Sequence, residues 1–178
     1  LPLRLNRSME PPDDGASESR QCAVNPVAGL SCLRHNGCMP FVTYLPGTAP
    51  LVLDSPHSGT DYPDDFGTVC DRGTLRRAED THVEKLYSFA PALGVAWIEA
   101  HFPRSYLDAN RDTTEVDVAM LDGGWPAPVA TDAAVLSKVR LGKGLIWRCT
   151  DDGVALYERK LGVAEVQARI QNCWQPYH

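Results

Sequence analysis

The 178-residue sequence lacks the features that define several broad classes of protein. No apolar run approaches the roughly 20 residues that span a bilayer, so we predict no membrane partner. The N-terminus has no apolar segment followed by a cleavage site, which argues against secretion and favours a cytoplasmic location. A formal net charge of −6 argues against a nucleic-acid partner. An acidic small molecule remains compatible with this composition, because a few local arginines can bind it.

Short catalytic and metal-binding motifs are also scarce. None of the six cysteines forms a CxxC pair, so neither a zinc ribbon nor a redox motif is indicated. We interpret them as reduced thiols. Ser55 and Ser58 do not lie in a G-x-S-x-G elbow, and no G-x-x-x-x-G-K-[ST] phosphate loop is present. The cysteines are Cys22, Cys32, Cys38, Cys70, Cys149 and Cys173.

The composition indicates one folded domain preceded by an extension. Hydrophobic residues make up 43% of the chain, which is enough for a packed core. Residues 1–38 are rich in Pro, Ser, Asp, Gly and Asn without periodicity, so we predict a disordered or non-native N-terminal extension. The folded domain is predicted to occupy residues 39–178, and Met39 could be the natural start.

Hydrophobic patterning predicts alternating strands and helices. A strand over residues 51–53 is predicted to be buried on both faces. A helix over residues 80–93 would start with a capping box of Thr81 and Glu84. Further strands are predicted at 41–45 and 95–98, a strand or loop wall at 145–147, and a last helix from about 163 to the end with Val163, Val166, Ile170 and Trp174 on one face. This alternation predicts an α/β fold with a largely parallel sheet.

A polar loop at residues 54–59 follows the second predicted strand and contains His57. A histidine held at a strand end beside small residues suits a metal ligand or a general base. Pro56 restricts the chain direction, and Gly59 lets the backbone turn closely. The same histidine could instead cap a backbone carbonyl in an ordinary loop, and the local pattern leaves both interpretations open.

Asp80, at the start of the predicted helix, could be a carboxylate ligand that completes a site with His57. Acidic residues are also favoured at helix N-termini, because they cap backbone N–H groups and interact with the helix dipole. Both interpretations of Asp80 therefore stay open. If the two side chains share a zinc ion, they should approach within about 6 Å of each other.

A third polar cluster covers residues 104–112, after the strand predicted at 95–98. Arg104 and Arg111 carry planar guanidinium groups that can bind a carboxylate through two hydrogen bonds, and Asn110 can add an amide bond. The alternative is a salt-bridged surface in which Arg111 pairs with Asp108 or Asp112. Ligands of α/β folds bind beyond the carboxyl ends of strands, so we expect this cluster and the preceding polar loop to face one crevice.

Three segments in this order resemble the N-formylglutamate amidohydrolase family. They are LVLDSPHSG at residues 51–59, EDTHVEKLY at residues 79–87 and PRSYLDANRD at residues 103–112. The ending RIQNCWQPYH adds to the resemblance. It covers about Met39 to His178 and corresponds to the N-terminal half of a family member.

The resemblance implies a three-layer α/β/α sandwich with a mostly parallel or mixed sheet, similar to zinc carboxypeptidases and aspartoacylases. It implies a divalent metal, expected to be zinc, with His57 and Asp80 as ligands. Residues 108–111 resemble the Asp-Leu-Asn-Arg segment that holds a substrate carboxylate in aspartoacylases. Arg104, Asn110 and Arg111 are therefore expected to bind substrate. The aspartoacylase-type His-x-x-Glu pair is absent, which leaves the second metal ligand open.

The implied activity is hydrolysis of the formyl amide of N-formyl-L-glutamate to L-glutamate and formate, a step of histidine degradation. Family members continue into a strand with a His-Ser pair, so we expect a truncated chain whose catalytic base and one metal ligand lie beyond residue 178. Residues 39–178 alone are then expected to be poorly active and marginally stable. The alternative is a non-catalytic remnant that binds an acidic ligand or a partner.

Overall fold

The structure, a computed structural model, describes residues 41–178, and the extension predicted at residues 1–38 lies outside them. Short helices and strands alternate with long loops along this part of the chain. The strands are β1 (Val42–Leu45), β2 (Val52–Ser55), β3 (Ala96–Ala100), β4 (Leu121–Asp122) and β5 (Leu161–Gly162). The α-helices are α1 (Arg72–Arg76), α2 (Val83–Leu86), α3 (Ala133–Arg140), α4 (Val163–Arg169) and α5 (Gln175–Tyr177). Single 3₁₀ turns cover Asp64–Phe66, Ala90–Leu93 and Val118–Met120.

The first three strands form a mixed sheet in the order β1-β3-β2, and β4 and β5 form a separate parallel pair. β3 runs parallel to β2, with Trp97 opposite Leu53, and antiparallel to β1. The α/β class and the mixed sheet are as predicted. Because β2 and β3 are parallel, the loops that follow them leave from the same edge of the sheet, where ligands of α/β folds bind.

The prediction that residues 51–53 form a strand buried on both faces is wrong. The strand begins one residue later, and β2 lies at the edge of the described three-stranded sheet. The side chains of Leu51 and Val52 are 51% and 58% exposed. An apolar triplet does not reveal whether other elements of the fold cover it, because that depends on contacts distant in sequence.

The continuous helix predicted over residues 80–93 is also wrong. The structure has two short helices instead, α2 and the 3₁₀ turn Ala90–Leu93. Pro91 occupies the start of the second one. Proline lacks the N–H that a continuing helix needs and is tolerated only in a first turn, so the helix stops and starts again. Leu86, predicted on the apolar face, is 67% exposed.

The predicted capping box of Thr81 and Glu84 does not form. The residue before α2 is His82, whose φ of 71° is left-handed, and its side chain makes no capping hydrogen bond. The hydroxyl of Thr81 donates instead to the carbonyl oxygen of Glu79, 3.5 Å away. The turn that carries Asp80 therefore has a shape that the capping pattern did not predict.

The C-terminal helix is confirmed in position. α4 continues through a π-helical segment, Ile170–Trp174, into α5. On the predicted face, Val166 is completely buried and Val163, Ile170 and Trp174 are half-buried against the core. The core also includes residues 145–147, which form a buried loop wall. The helix therefore packs on the same core that supports the loops after β2 and β3.

Arg169 is a buried charge that the pattern of apolar residues did not predict. Its guanidinium donates to the carbonyl oxygens of Tyr106 and Phe66, to the hydroxyl of Tyr157 and to the carboxylate of Glu165, at 2.6–3.1 Å. Buried charges persist only when they are paired and hydrogen-bonded, as this one is. The contact with Tyr106 ties α4 to the loop that follows β3.

The described residues bear on two further expectations, those on membrane-spanning segments and on the cysteines. Within residues 41–178, each helix is too short or too polar to cross a membrane. Cys70, Cys149 and Cys173 are free thiols, as predicted for them. The other three cysteines precede the described residues.

Candidate active site

His57 lies two residues after the end of β2 and is only 7% exposed. The loop that carries it is pressed against the loop after β3 at Gly59. A Cβ atom at Gly59 would lie 2.3 Å from the carbonyl oxygen of Phe102, so only glycine fits there. Within the loop, the hydroxyls of Ser55 and Ser58 hydrogen-bond at 2.6 Å. These contacts hold His57 at the edge of the sheet where both loops meet.

Asp80 contacts His57 through both backbone and side chain. The backbone N–H of Asp80 donates to the carbonyl oxygen of His57 at 3.1 Å. The side-chain Oδ2 of Asp80 lies 3.2 Å from Nδ1 of His57. The predicted proximity of the two side chains is therefore confirmed, while their role as metal ligands stays a prediction.

Asp108 holds the opposite nitrogen of the His57 ring. Its Oδ1 accepts hydrogen bonds from His57 Nε2 at 2.7 Å and from the backbone N–H of Asn110 at 3.0 Å. Its Oδ2 accepts from the guanidinium of Arg104 at 3.1 Å and from the indole N–H of Trp147 at 3.2 Å. Asp108 is 1% exposed, so four protein donors replace the water it has lost.

The surroundings of Asp108 keep it ionised. Burial on its own would raise the pKa of this carboxyl. The hydrogen bond and positive charge of His57, followed by those of Arg104, outweigh burial and lower the pKa to about 2. Asp108 is therefore a carboxylate at neutral pH and holds a proton on Nε2 of His57.

His57 thus lies between two carboxylates, one at each ring nitrogen. A neutral imidazole has only one N–H to donate, whereas Asp80 and Asp108 both present acceptors. The contact between Nε2 and Asp108 matches the usual arrangement of a metal-bound histidine, in which the nitrogen away from the metal donates to a carboxylate.

Arg104 joins the same cluster, while its predicted role in substrate binding stays a prediction. Its Nη1 lies 3.7 Å from Asp80 Oδ1, and its Nη2 bonds Asp108. The guanidinium carbon lies 4.9 Å from the ring centroid of Trp147. Its buried Nε has no hydrogen-bond partner among residues 41–178. Arg104 therefore places a fixed positive charge and an unused donor beside His57.

The structure places Arg111 and Asn110 immediately after Asp108 but does not join their side chains to the cluster by hydrogen bonds. Arg111 Nη1 pairs with Glu115 Oε2 at 3.3 Å, so Arg111 forms a salt bridge as in the alternative interpretation, but its partner is neither Asp108 nor Asp112. Glu115 lies four residues away, within reach across one turn of chain. The side chain of Asn110 is exposed. The expectation that Arg111 faces the crevice of His57 stays a prediction.

Asp108 and Trp147 are the site residues that the sequence did not identify as such. Asp108 entered only as a possible partner of Arg111 and as the first residue of the segment 108–111. The sequence does contain a local pattern that points to Asp108. Aspartate side chains in turns commonly accept a hydrogen bond from the backbone N–H two residues later, as Asp108 does from Asn110. Trp147 carries no local signal, since it is 39 residues away from Asp108.

Comparison with known proteins bears on this geometry. A family model described as N-formylglutamate amidohydrolase matches residues 49–178. The N-formylglutamate deformylase of Pseudomonas aeruginosa is 28% identical over 139 residues, which are 74% of this chain and 44% of that protein. The crystal structure of N-formylglutamate amidohydrolase from Ralstonia eutropha JMP134 matches with a TM-score of 0.71 and 46% identity, over 79% of this chain and 50% of that one. The chain spans about half the length of these relatives.

Proposed function

The chain belongs to the N-formylglutamate amidohydrolase family, and we propose that the whole protein hydrolyses N-formyl-L-glutamate to L-glutamate and formate. The observation that carries this proposal is His57 held between the carboxylates of Asp80 and Asp108. Amide hydrolysis needs an activated water and a stabilised oxyanion, and the cluster contains residues suited to both. Family membership and this cluster favour the enzyme over a non-catalytic remnant.

We propose that the site takes a divalent metal, zinc in particular, at Nδ1 of His57 and the carboxylate of Asp80. The fit is partial. Among residues 41–178 no three His, Cys, Asp or Glu side chains converge on one point, since Asp108 contacts the far side of the ring. Protein zinc sites usually have three or more protein ligands, so a further ligand would come from outside these residues. Bound zinc would activate a water and polarise the formyl carbonyl.

The residues around His57 would then hold its ring in place and orient it. Asp108 keeps the proton on Nε2 of His57 and fixes the ring plane, which leaves the lone pair of Nδ1 directed at Asp80. Trp147 and Arg104 hold Asp108 in turn. Such a supporting shell limits the movement of the ligand during the reaction.

Arg104, Asn110 and Arg111 are proposed to hold a carboxylate of the substrate. Both guanidinium groups keep a buried Nε without a hydrogen-bond partner in the described part of the chain. A guanidinium offers five N–H donors, so the pairing of Arg104 with Asp108 and of Arg111 with Glu115 leaves donors for a ligand. The exposed amide of Asn110 is free to turn towards it.

Family membership also supports proposals about the fold and the cellular role of the whole protein. We propose that β1, β3 and β2 form part of a three-layer α/β/α sandwich similar to zinc carboxypeptidases and aspartoacylases. We also propose a cytoplasmic role in histidine degradation. Both proposals rest on the resemblance of the sequence, with the mixed sheet as structural support for the first.

The direct test is formate release from N-formyl-L-glutamate by the whole protein, before and after metal removal with a chelator. Wild type should release formate, lose activity when stripped and recover it with Zn²⁺. His57→Ala should reduce kcat/KM by at least about a hundredfold, because loss of a metal ligand also misplaces the water.

The matched control is His82→Asn, which changes an exposed histidine nearby to a residue that tolerates its left-handed backbone. It should retain activity. Equal activity in His57→Ala and His82→Asn, or full activity after verified metal removal, would refute the proposed mechanism.

A further inference from the structure

A polar cavity is formed by residues that lie close in the chain to His57 and Asp80. It has a volume of about 250 Å³ and is lined by Thr60, Tyr62, Arg72 and Arg76. We call it the arginine pocket. None of its four residues belongs to the cluster around His57, so it is a separate concave feature of the described chain.

Short stretches of backbone connect the arginine pocket to the site. Thr60 follows His57 by three residues, which at full extension span at most about 11 Å. On the other side, Glu79 contacts the wall of the pocket and directly precedes Asp80. Both connections are short, so the pocket wall lies no more than about 11 Å along the backbone from His57 and next to Asp80 in the chain.

The charges of the pocket favour one negative group. The guanidinium of Arg72 lies 4.2 Å from the ring centroid of Tyr62 and has no ion-pair partner among residues 41–178. Arg76 Nε lies 3.6 Å from Oε2 of Glu79. Two guanidinium groups and one carboxylate leave a net charge of about +1, which matches a single carboxylate.

Glu79 holds the wall of the pocket in place. Its side chain is 1% exposed, and its Oε1 accepts a hydrogen bond from the hydroxyl of Tyr62. Its Oε2 has no hydrogen-bond partner in the described residues. Burial and the neighbouring carboxylate of Glu79 raise the pKa of Tyr62, so its hydroxyl stays protonated. Arg72 stacks on a ring that is fixed in this way.

We propose that the arginine pocket binds the side-chain carboxylate of the substrate, with Arg72 and Arg76 as the residues that recognise its charge. This inference rests on the proposed function. Five bonds separate the formyl carbon from that carboxylate carbon in N-formylglutamate, a reach of about 6 Å. The α-carboxylate is then left for Arg104, Asn110 and Arg111, so each carboxylate has its own arginines.

The test compares two ligands that differ in one charge, N-formyl-L-glutamate and N-formyl-L-glutamine. Their dissociation constants for the 178-residue chain are measured by isothermal titration calorimetry in a chelating buffer. Wild type should bind the glutamate derivative at least about tenfold more tightly, because a guanidinium site discriminates against a neutral isostere. The double variant Arg72→Gln/Arg76→Gln should bind both ligands equally.

Arg77→Gln is the matched control, because Arg77 directly follows α1 and pairs with the exposed Asp152. It should keep the wild-type preference. Arg72→Lys/Arg76→Lys serves if the glutamine variant unfolds, and its preference should fall below wild type because an ammonium lacks the fork. Wild type that binds neither ligand or both equally, or an unchanged preference in the folded double variant, would overturn the inference.

Formate release by the whole protein separates the two proposals. Turnover of N-formylglutamate with an unchanged preference in the double variant would refute the arginine pocket and leave the enzyme. A charge-dependent preference without turnover would refute the proposed function and support the pocket as a carboxylate site.

Discussion

At the scale of single residues, the two ring nitrogens of His57 contact Asp80 and Asp108. Asp108 is the most constrained of them, because it is 1% exposed and accepts four hydrogen bonds. The partners of a buried carboxylate stabilise its charge. When the carboxylate is removed, their own positive charges and N–H donors stay buried without an acceptor. Its contribution should therefore appear in stability as well as in activity.

We predict that Asp108→Asn lowers the free energy of unfolding of the chain by about 3 kcal/mol at pH 7, because it leaves His57 and Arg104 without their buried anion. Urea unfolding measures the difference. The control is Asp112→Asn, in which an exposed side chain bonded only to Thr114 keeps its acceptor oxygen. It should change stability by less than about 0.5 kcal/mol. Equal losses in the two variants would show that Asp108 is not specially stabilised.

Among the elements, α4 connects the C-terminal segment to the loop that carries the site. Arg169 on this helix bonds the carbonyl oxygen of Tyr106, two residues before Asp108. Glu165, one turn earlier, accepts from Arg169 at 2.6 Å and from both terminal nitrogens of Arg159. The charge of Arg169 in the core thus depends on Glu165.

The ionisation of Glu165 makes this anchor dependent on pH. Burial would raise the pKa of Glu165, but hydrogen bonds from Arg159 and the charge of Arg169 outweigh it and lower the pKa. A carboxyl whose pKa is lower in the folded state stabilises the protein above its unfolded pKa of about 4.3. That stabilisation is lost as the pH falls through the lower, folded value.

We therefore predict that Glu165→Gln lowers the free energy of unfolding by about 1–2 kcal/mol at pH 7. The difference from wild type should shrink as the pH falls below about 4, since the wild-type side chain is then neutral as well. Urea unfolding across this range measures it. Glu158→Gln, at an exposed site nearby, should show little difference at any pH. A gap for Glu165→Gln that persists at low pH would contradict the charge-based explanation.

For the whole molecule, the described chain combines a preformed polar cluster with incompletely covered apolar surface. Leu86, Phe89 and Leu93 are 67%, 56% and 68% exposed. Val52, on the edge strand β2, is 58% exposed. The cluster at His57 is nevertheless held by contacts within residues 41–178. Metal binding should therefore stabilise this chain in a measurable way.

We predict that Zn²⁺ at about a hundredfold excess over its Kd stabilises the chain by roughly 2.7 kcal/mol, because only the folded state brings His57 and Asp80 together. This corresponds to a rise in Tm of about 5–10 °C. Differential scanning fluorimetry on the stripped chain measures it. Asp80→Asn should abolish most of the rise, whereas Asp61→Asn, at an exposed position, should retain it. An equal rise in both variants would place zinc elsewhere.

Local patterns in the sequence were enough to locate several secondary-structure elements and to identify the family. Apolar runs located the strands near residues 41–45 and 95–98 and the C-terminal helix, because these signals are carried by adjacent residues. The ordered polar segments identified the family, and the strand-end position of His57 indicated that it would meet Asp80. The two residues are 23 positions apart in the sequence, and the structure places their side chains in contact.

The remaining features were decided only by the tertiary structure. The break in the helix predicted over residues 80–93 and the exposure of β2 depend on which elements pack against them. Asp108 and Arg169 became identifiable because long-range contacts, 51 residues to His57 and 103 residues to Phe66, supply the partners that make a buried charge tolerable. A local pattern cannot contain those partners, since they are brought together only when the chain folds.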